Sequence, residues 1–304
     1  MSLVEKALRK MLDARAAAAG PAPAAAPRAF ETPDVPKGNA AMANIAAPPA
    51  AAQRNDKMVT VSNAGLRAQG LFPFPEQERR LTGEYRQIKR PIMAAVRGRE
   101  AVPNGRLLVI ASALPGEGKT FTSINLAMSL ALEKDTSVLL VDGDLAKSQV
   151  SRAFGVQEEP GLMDLLLEPA LDSAAVIIPT TVKGLSILPA GSECSTATEL
   201  LTSARMEEVV AELLSRNPTR IVLFDSPPLL LTTESRALIA LAGQIVIVVR
   251  AEQTNQAAVL DALAIVGAEK KVGLVLNHCE MSGSQLYYGY GEYGAPAAAD
   301  VQQK

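Results

Sequence analysis

The sequence predicts a doubly wound, mostly parallel α/β sheet, and three observations predict it. Apolar runs of strand length alternate with stretches whose apolar residues fall at helical spacing. Two of those runs, "SVLLVD" and "RIVLFD", end on an aspartate, and the carboxyl ends of parallel strands are where an open sheet gathers ligands. A third run, "LLVIAS", passes at once into a glycine-containing turn and then a helical pattern.

The elements follow in chain order. "SLVEKALRKMLDAR" reads as an amphipathic helix, with Leu3, Val4, Ala7, Leu8, Met11 and Leu12 on one stripe and Ser2 and Glu5 placed as a capping box. Alone in water such a helix is marginal. It suits docking on a partner or a membrane surface, and equally a helix with no task. From Ala14 to Ala52 alanine and proline make up 25 of 39 residues, too few bulky side chains to offset the entropy of ordering. That stretch predicts a disordered arm, and its polar continuation to about Gly70 is expected to stay loose. The dense apolar pattern runs from near Leu81 to about Asn277, roughly 200 residues, enough for one domain. The expected division is therefore an arm at 1–75, a domain at 76–283 and a tail at 284–304.

Net charge is −2, so no global field favours nucleic acid or an anionic membrane. Two distant cysteines, Cys194 and Cys279, and a single histidine, His278, exclude a disulfide framework and disfavour zinc; they suit a reducing compartment. No run reaches the ~18 apolar residues of a membrane span. The best, "ALIALAGQIVIVV", is broken by Gly243 and Gln244. The expectation is a soluble, cytoplasmic chain.

The strand–turn–helix unit carries the sharpest signal. "ALPGEGKT" (113–120) matches the phosphate-binding pattern G-x-x-x-x-G-K-[ST], except that Ala113 stands at the first glycine. Gly116 and Gly118 let backbone N–H groups turn inward on phosphate oxygens, and the helix N-terminus adds partial positive charge. Lys119 is placed to reach the β/γ-phosphates of a nucleotide and the Thr120 hydroxyl to ligate Mg²⁺. A helical pattern follows through Ile124, Leu126, Ala127, Leu130 and Ala131. Asp142 and Asp144 end one apolar strand and Asp225 another. Carboxylates there can hold Mg²⁺ or accept a proton. "GQIVIVV" and "VGLVLN" complete the buried strands. A P-loop nucleotide-binding fold is the expected architecture.

One feature is left over. Four of the five tyrosines, Tyr287, Tyr288, Tyr290 and Tyr293, crowd among glycines in the tail "SQLYYGYGEYGAP". Phenols near a chain end are poor core material and good acceptors.

"ALPGEGKT", "LLVDGDL" and "VLFDSPP", in this order and with this tail, resemble the bacterial tyrosine kinases, P-loop kinases of polysaccharide export, over about residues 76 to 293. "SLVEKALRK", "EYRQIKRP", "ATELL" and "SPPLLLTTESRAL" are similar to the exosortase-associated exopolysaccharide autokinase subgroup. The resemblance implies an ATP- and Mg²⁺-dependent protein-tyrosine autokinase. Its backbone from Pro115 through Gly116, Glu117, Gly118, Lys119 and Thr120 to Phe121 would bind phosphates. Thr120 and Asp225 would hold Mg²⁺, with Asp144 supporting it through water. Asp142 would be the base near the tyrosine hydroxyl, and Asn277 would stand where relatives contact adenine. The four tail tyrosines would be substrates, entering a neighbour's active site in a ring. Implied partners are an inner-membrane polysaccharide co-polymerase or chain-length adaptor, which would hold the cytoplasmic chain at the membrane, and a cognate tyrosine phosphatase.

Three positions depart from the family pattern. Ala146 stands where arginine is common, with Lys147 beside it. In the subunit-contact run Glu84, Gln87 and Arg90 lack the middle arginine, and Glu234 replaces a frequent aspartate. The fold implied is the P-loop NTPase fold of the MinD/ParA-like type, and the main competing reading is a positioning or partitioning ATPase of that same fold. Such proteins carry an extra lysine early in the loop, where this chain has Leu114, and lack a tyrosine cluster. A non-catalytic interaction module is the other, opposed by the intact Lys119, Thr120, Asp142, Asp144 and Asp225.

Overall fold

Strand β1 (Leu107–Ser112) sits near the middle of a seven-stranded sheet and carries the phosphate loop at its carboxyl end. A computed structural model describes residues 57–97 and 101–279. The expected N-terminal amphipathic helix, the Ala/Pro arm and the four tail tyrosines lie outside the described residues.

The described elements are α1 (Asn63–Ala68), α2 (Pro75–Val96), β1, α3 (Lys119–Ala131), β2 (Ser137–Asp142), α4 (Gln149–Ala153), α5 (Leu162–Leu167) and α6 (Ser173–Val176). They continue with β3 (Ile178–Pro179), β4 (Leu185–Leu188), α7 (Ala197–Leu201), α8 (Ala204–Ser215) and β5 (Arg220–Asp225). The last are α9 (Glu234–Leu241), β6 (Gln244–Arg250), α10 (Gln256–Val266) and β7 (Lys271–Asn277). Strand order is β3-β4-β2-β5-β1-β6-β7, parallel throughout except for the β3–β4 pair. This is the expected mostly parallel sheet, and it places β1 and β5 side by side where the chain winds away in both directions.

Period-two alternation divides the core between two faces. Leu107, Val109 and Ala111 pack with α5, α7, α8, α9 and α10, while Leu108 and Ile110 face α1, α2, α3 and α4. Helix α3 is buried over most of its circumference, because α2 covers the side turned away from the sheet. Lys89 fastens that layer: its Nζ donates to the Ser129 carbonyl at 3.1 Å and pairs with Glu133 at 2.7 Å. The run "ALIALAGQIVIVV" resolves into α9 and β6, split at Gly243, where an added Cβ would lie 2.3 Å from the Asn104 carbonyl oxygen. Among the described residues no helix is long and apolar enough to cross a membrane.

Residues 57–74 correct an expectation. They pack on the domain rather than staying loose, and the core starts well before Leu81. Val59 bridges to Thr180 beside β3, its N–H donating to Pro179 and its carbonyl accepting from Thr181, both at 2.9 Å. Ser62 caps α1 by accepting from the Gly65 N–H at 3.1 Å. Leu66 and Leu71 are buried against the α3 layer, and the Asn125 side chain donates to the Leu71 carbonyl at 3.0 Å. The polar composition hid this strap because its few apolar residues find their partners on distant elements.

Candidate active site

The turn from β1 into α3 is shaped by two glycines in the left-handed region, Gly116 at φ 78° and Gly118 at φ 94°. At Gly118 a Cβ would lie 2.0 Å from Nδ2 of Asn277. That amide instead donates to the Glu117 carbonyl at 2.9 Å, latching the end of β7 onto the loop. The Glu117 carboxylate turns inward: it accepts from the Leu114 N–H at 2.7 Å and from the Thr254 hydroxyl. Ser112 Oγ donates to the Leu114 carbonyl at 2.7 Å. These ties fix the loop before any ligand arrives, so little ordering cost remains for binding. Gly118→Ala is expected to strain the turn by about 1–2 kcal/mol and to displace Asn277. Nucleotide affinity should fall about tenfold or more, and a titration with ATP giving the original Kd would show that the latch is dispensable.

Lys119 is the first residue of α3 and is almost fully buried. Its Nζ donates to Ser112 Oγ at 2.9 Å. Burial lowers its pKa, against the opposing pull of Asp225, Asp144 and Glu117. Next to it, the Thr120 hydroxyl donates to Asp225 Oδ2 at 2.7 Å and lies 3.1 Å from the Gln149 amide oxygen. Ser123, one turn along α3, donates to Asp225 Oδ1 at 2.9 Å.

Asp142 and Asp225 are direct register partners at the ends of β2 and β5. Both are fully buried, and strands in a sheet lie only about 4.8 Å apart. Asp225 is raised to about 7, chiefly by burial and then by the neighbouring Asp142, against the hydrogen bonds from Thr120 and Ser123 and the charge of Lys119. Asp142 is raised to about 6, chiefly by burial, despite hydrogen bonds from the Ser151 N–H and hydroxyl, both at 2.7 Å to Oδ2. Its other oxygen, Oδ1, is the one buried side-chain polar atom without a hydrogen-bond partner among the described residues. A buried carboxylate oxygen without a protein partner calls for an explanation: a catalytic role, strain, or a water or ion that it holds.

Pro115, Gly116, Gly118, Lys119, Thr120, Phe121, Asp144 and Asn277 all line one cavity of about 860 Å³. Asp225 lies behind Thr120, and Asp142 beside Asp225 in the sheet. The Thr120 hydroxyl and the carboxylates of Asp225 and Asp144 are hard oxygen groups. Among the described residues no cluster of three or more His, Cys, Asp or Glu side chains is close enough to cage a metal. Hard oxygens of this kind suit Mg²⁺, which takes one or two protein carboxylates and fills its octahedron with water and phosphate oxygens.

The family model described as AAA domain matches residues 105–271. Tyrosine-protein kinase YwqD of Bacillus subtilis is 31% identical over 238 residues, 77% of this chain and 97% of that protein. The chain belongs to the bacterial tyrosine-protein kinases. The succinoglycan biosynthesis transport protein ExoP of Rhizobium meliloti is 30% identical over 204 residues, 62% of this chain but 25% of that protein. The crystal structure of the chimerical protein CapA2B2 superposes with a TM-score of 0.57 at 27% identity, over 73% of this chain and 93% of its own.

This kinase uses more residues around its loop than the motifs reveal. Ser112, Ser123, Gln149, Ser151 and Thr254 each bond a motif residue, yet no spacing in the sequence marks them. Of the departures, Ala146 is exposed, and Lys147 beside it lines the cavity. Glu234 is tied to the Thr198 hydroxyl at 2.7 Å, joining α9 to α7, and this bond holds its carboxyl below the usual range. On α2, Gln87 and Arg90 are exposed, whereas Glu84 lines the cavity and pairs with Arg80 at 3.5 Å.

Proposed function

We propose that this kinase transfers the γ-phosphoryl group of Mg-ATP to the tail tyrosines Tyr287, Tyr288, Tyr290 and Tyr293 of a neighbouring subunit. The observation that carries the reading is the open, buried Oδ1 of Asp142, paired in register with Asp225 behind a phosphate loop. Thr120, Asp144 and Asp225 would hold Mg²⁺, which would supply positive charge to the phosphate oxygens. Lys119 leaves Ser112 for the β/γ-phosphates, and the loop backbone from Pro115 to Phe121 donates to the remaining oxygens. Asp142 accepts the phenolic proton at Oδ1 as charge leaves the tyrosine oxygen, while Ser151 holds Oδ2 in place. Asn277 positions the loop.

Phosphotyrosines each add about 1.5 to 2 negative charges. Their accumulation beside the acidic pocket disfavours the assembled ring, which gives cycles of assembly and release. An inner-membrane polysaccharide co-polymerase or chain-length adaptor recruits and activates the kinase, and a cognate tyrosine phosphatase resets it. The resemblance to exopolysaccharide transport machinery supports this placing.

Incubation with Mg-ATP followed by phosphopeptide mapping tests the reading. Phosphate on the tail tyrosines is expected; ATP hydrolysis without phosphotyrosine would assign the chain to positioning ATPases instead. Asp142→Asn and Asp225→Asn proteins should fold, because the serine and threonine hydroxyls keep an acceptor oxygen. Their rates at limiting Mg²⁺ should drop by about 10²-fold or more. Normal rates in both would remove these roles.

A further inference from the structure

We infer that the tail docks in cis along the open edge of β7, as an antiparallel strand that sets an aromatic ring in the groove between β7 and α2. Docking of this kind goes beyond the transfer proposed above, and only its effect on the rate rests on that reading. β7 ends the sheet: it pairs with β6 over its whole length, and among the described residues no strand pairs with its other side. At the opposite end β3 has two residues, and Val59 of the strap bridges beside it at Thr180. The seven residues of β7 are half-buried or exposed, whereas β1 is buried throughout. A long edge of unpaired N–H and C=O groups is a template for another strand, and folded proteins normally cover it. Beside it lies a mostly apolar cavity of about 120 Å³, lined by Ile88, Pro91, Ile92, Val246, Gly273 and Val275 among others. A Cβ added at Gly273 would meet only Val246 Cγ2 among the described residues, at 4.0 Å.

The tail is the occupant because it starts at this edge. His278, the first residue after β7, has φ 57°, a left-handed turn conformation, and the Cys279 thiol reaches back to the Leu276 carbonyl at 3.4 Å. Cys279 lines the same cavity as Arg80 and Glu84 of α2, so the chain leaves β7 on the α2 side, and Ile88 is about one helical turn further along. Residues 280–304 follow. In them Leu286, Tyr288 and Tyr290 alternate with Tyr287, Gly289 and Gly291, the period-two pattern of a strand with one apolar and aromatic face. A return through residues 278–283 sets Ser284 opposite Asn277, Leu286 opposite Val275 and Tyr288 opposite Gly273. An aromatic ring across from an edge glycine covers the bare backbone. An apolar cavity of about 150 Å³ accepts a benzene ring, so the groove beside Gly273 is of the size for one phenol. A strand joined to β7 by so short a loop competes at high effective concentration against any segment from another molecule. While docked, it is withheld from a neighbour's phosphate loop.

Amide hydrogen exchange of β7, read in the full chain without nucleotide, tests the docking. Residues 271–277 should exchange about tenfold faster in the Tyr288→Pro chain, because proline cannot donate to the ladder and β7 itself is unaltered. Gly273→Leu fills the groove from the other side. Its tail should be phosphorylated about tenfold faster at low protein concentration, since docking no longer withholds the acceptor. Equal exchange in the unaltered and Tyr288→Pro chains would overturn the docking. Protection that grows with protein concentration would also overturn it and assign the edge to a second copy. An unchanged rate in the Gly273→Leu chain would overturn the withholding. A chain whose β7 is protected by the tail but that never acquires phosphotyrosine would keep the docking and overturn the transfer reading instead.

Discussion

Lys119→Met should lower phosphotyrosine formation by at least about 10²–10³-fold, the scale seen when one preorganised charge-stabilising donor is removed. Two unit charges 4 Å apart interact by about 4 kcal/mol at an effective dielectric of 20, more than a backbone dipole supplies. The ammonium is buried near Asp225, Asp144 and Glu117, yet burial dominates and lowers its pKa. Its presence therefore costs stability in the unliganded protein and is recovered when phosphates arrive. Methionine has similar length and no charge to desolvate, so the melting temperature of the variant should stay level or rise. Activity lost together with a large fall in melting temperature would mean that Lys119 holds the fold rather than the nucleotide.

The second large effect concerns the tail. Changing Tyr287, Tyr288, Tyr290 and Tyr293 together to phenylalanine should remove most of the phosphate incorporated from ATP. Nucleotide affinity should be unaltered, because none of the described residues that line the cavity is changed. Phosphate retained at near the original level would place the acceptors elsewhere. Tyr85, the fifth tyrosine, is a poor candidate: it is buried on α2, and burial raises its phenol far above the ordinary range. A hydroxyl so placed neither reaches solvent nor ionises readily.

What the sequence showed and what it hid have physical causes. β1, the loop and α3 were legible because local signals agree there: an apolar run of strand length, glycines at turn positions, then apolar residues at helical spacing. β2 and β5 were legible as apolar runs, and their terminal aspartates do meet in register. The strap at 57–74 was not, since Val59, Leu66 and Leu71 are single apolar residues whose burial depends on Thr180 and α3. The short elements between β2 and α8 were equally obscure. β3 has two residues and β4 four, and α4 to α7 are each six residues or fewer, too short for periodicity to register. Within the site, the sequence placed Glu117 among nucleotide ligands by its position in the loop. Its side chain has the different task of fastening the loop to Leu114 and Thr254. Hydroxyl partners such as Ser123 and Ser151 belong to no pattern because their roles exist only once distant strands are adjacent.

Mixing two inactive halves shows whether this tyrosine kinase works between subunits. One protein carries Lys119→Met and an intact tail; the other has an intact loop and all four tail tyrosines changed to phenylalanine. With Mg-ATP, each alone should incorporate little phosphate. The mixture should label the tail of the Lys119→Met chain, at a rate that rises with the concentration of its partner. No label on that tail, under conditions where the unaltered protein phosphorylates itself, would contradict transfer between subunits.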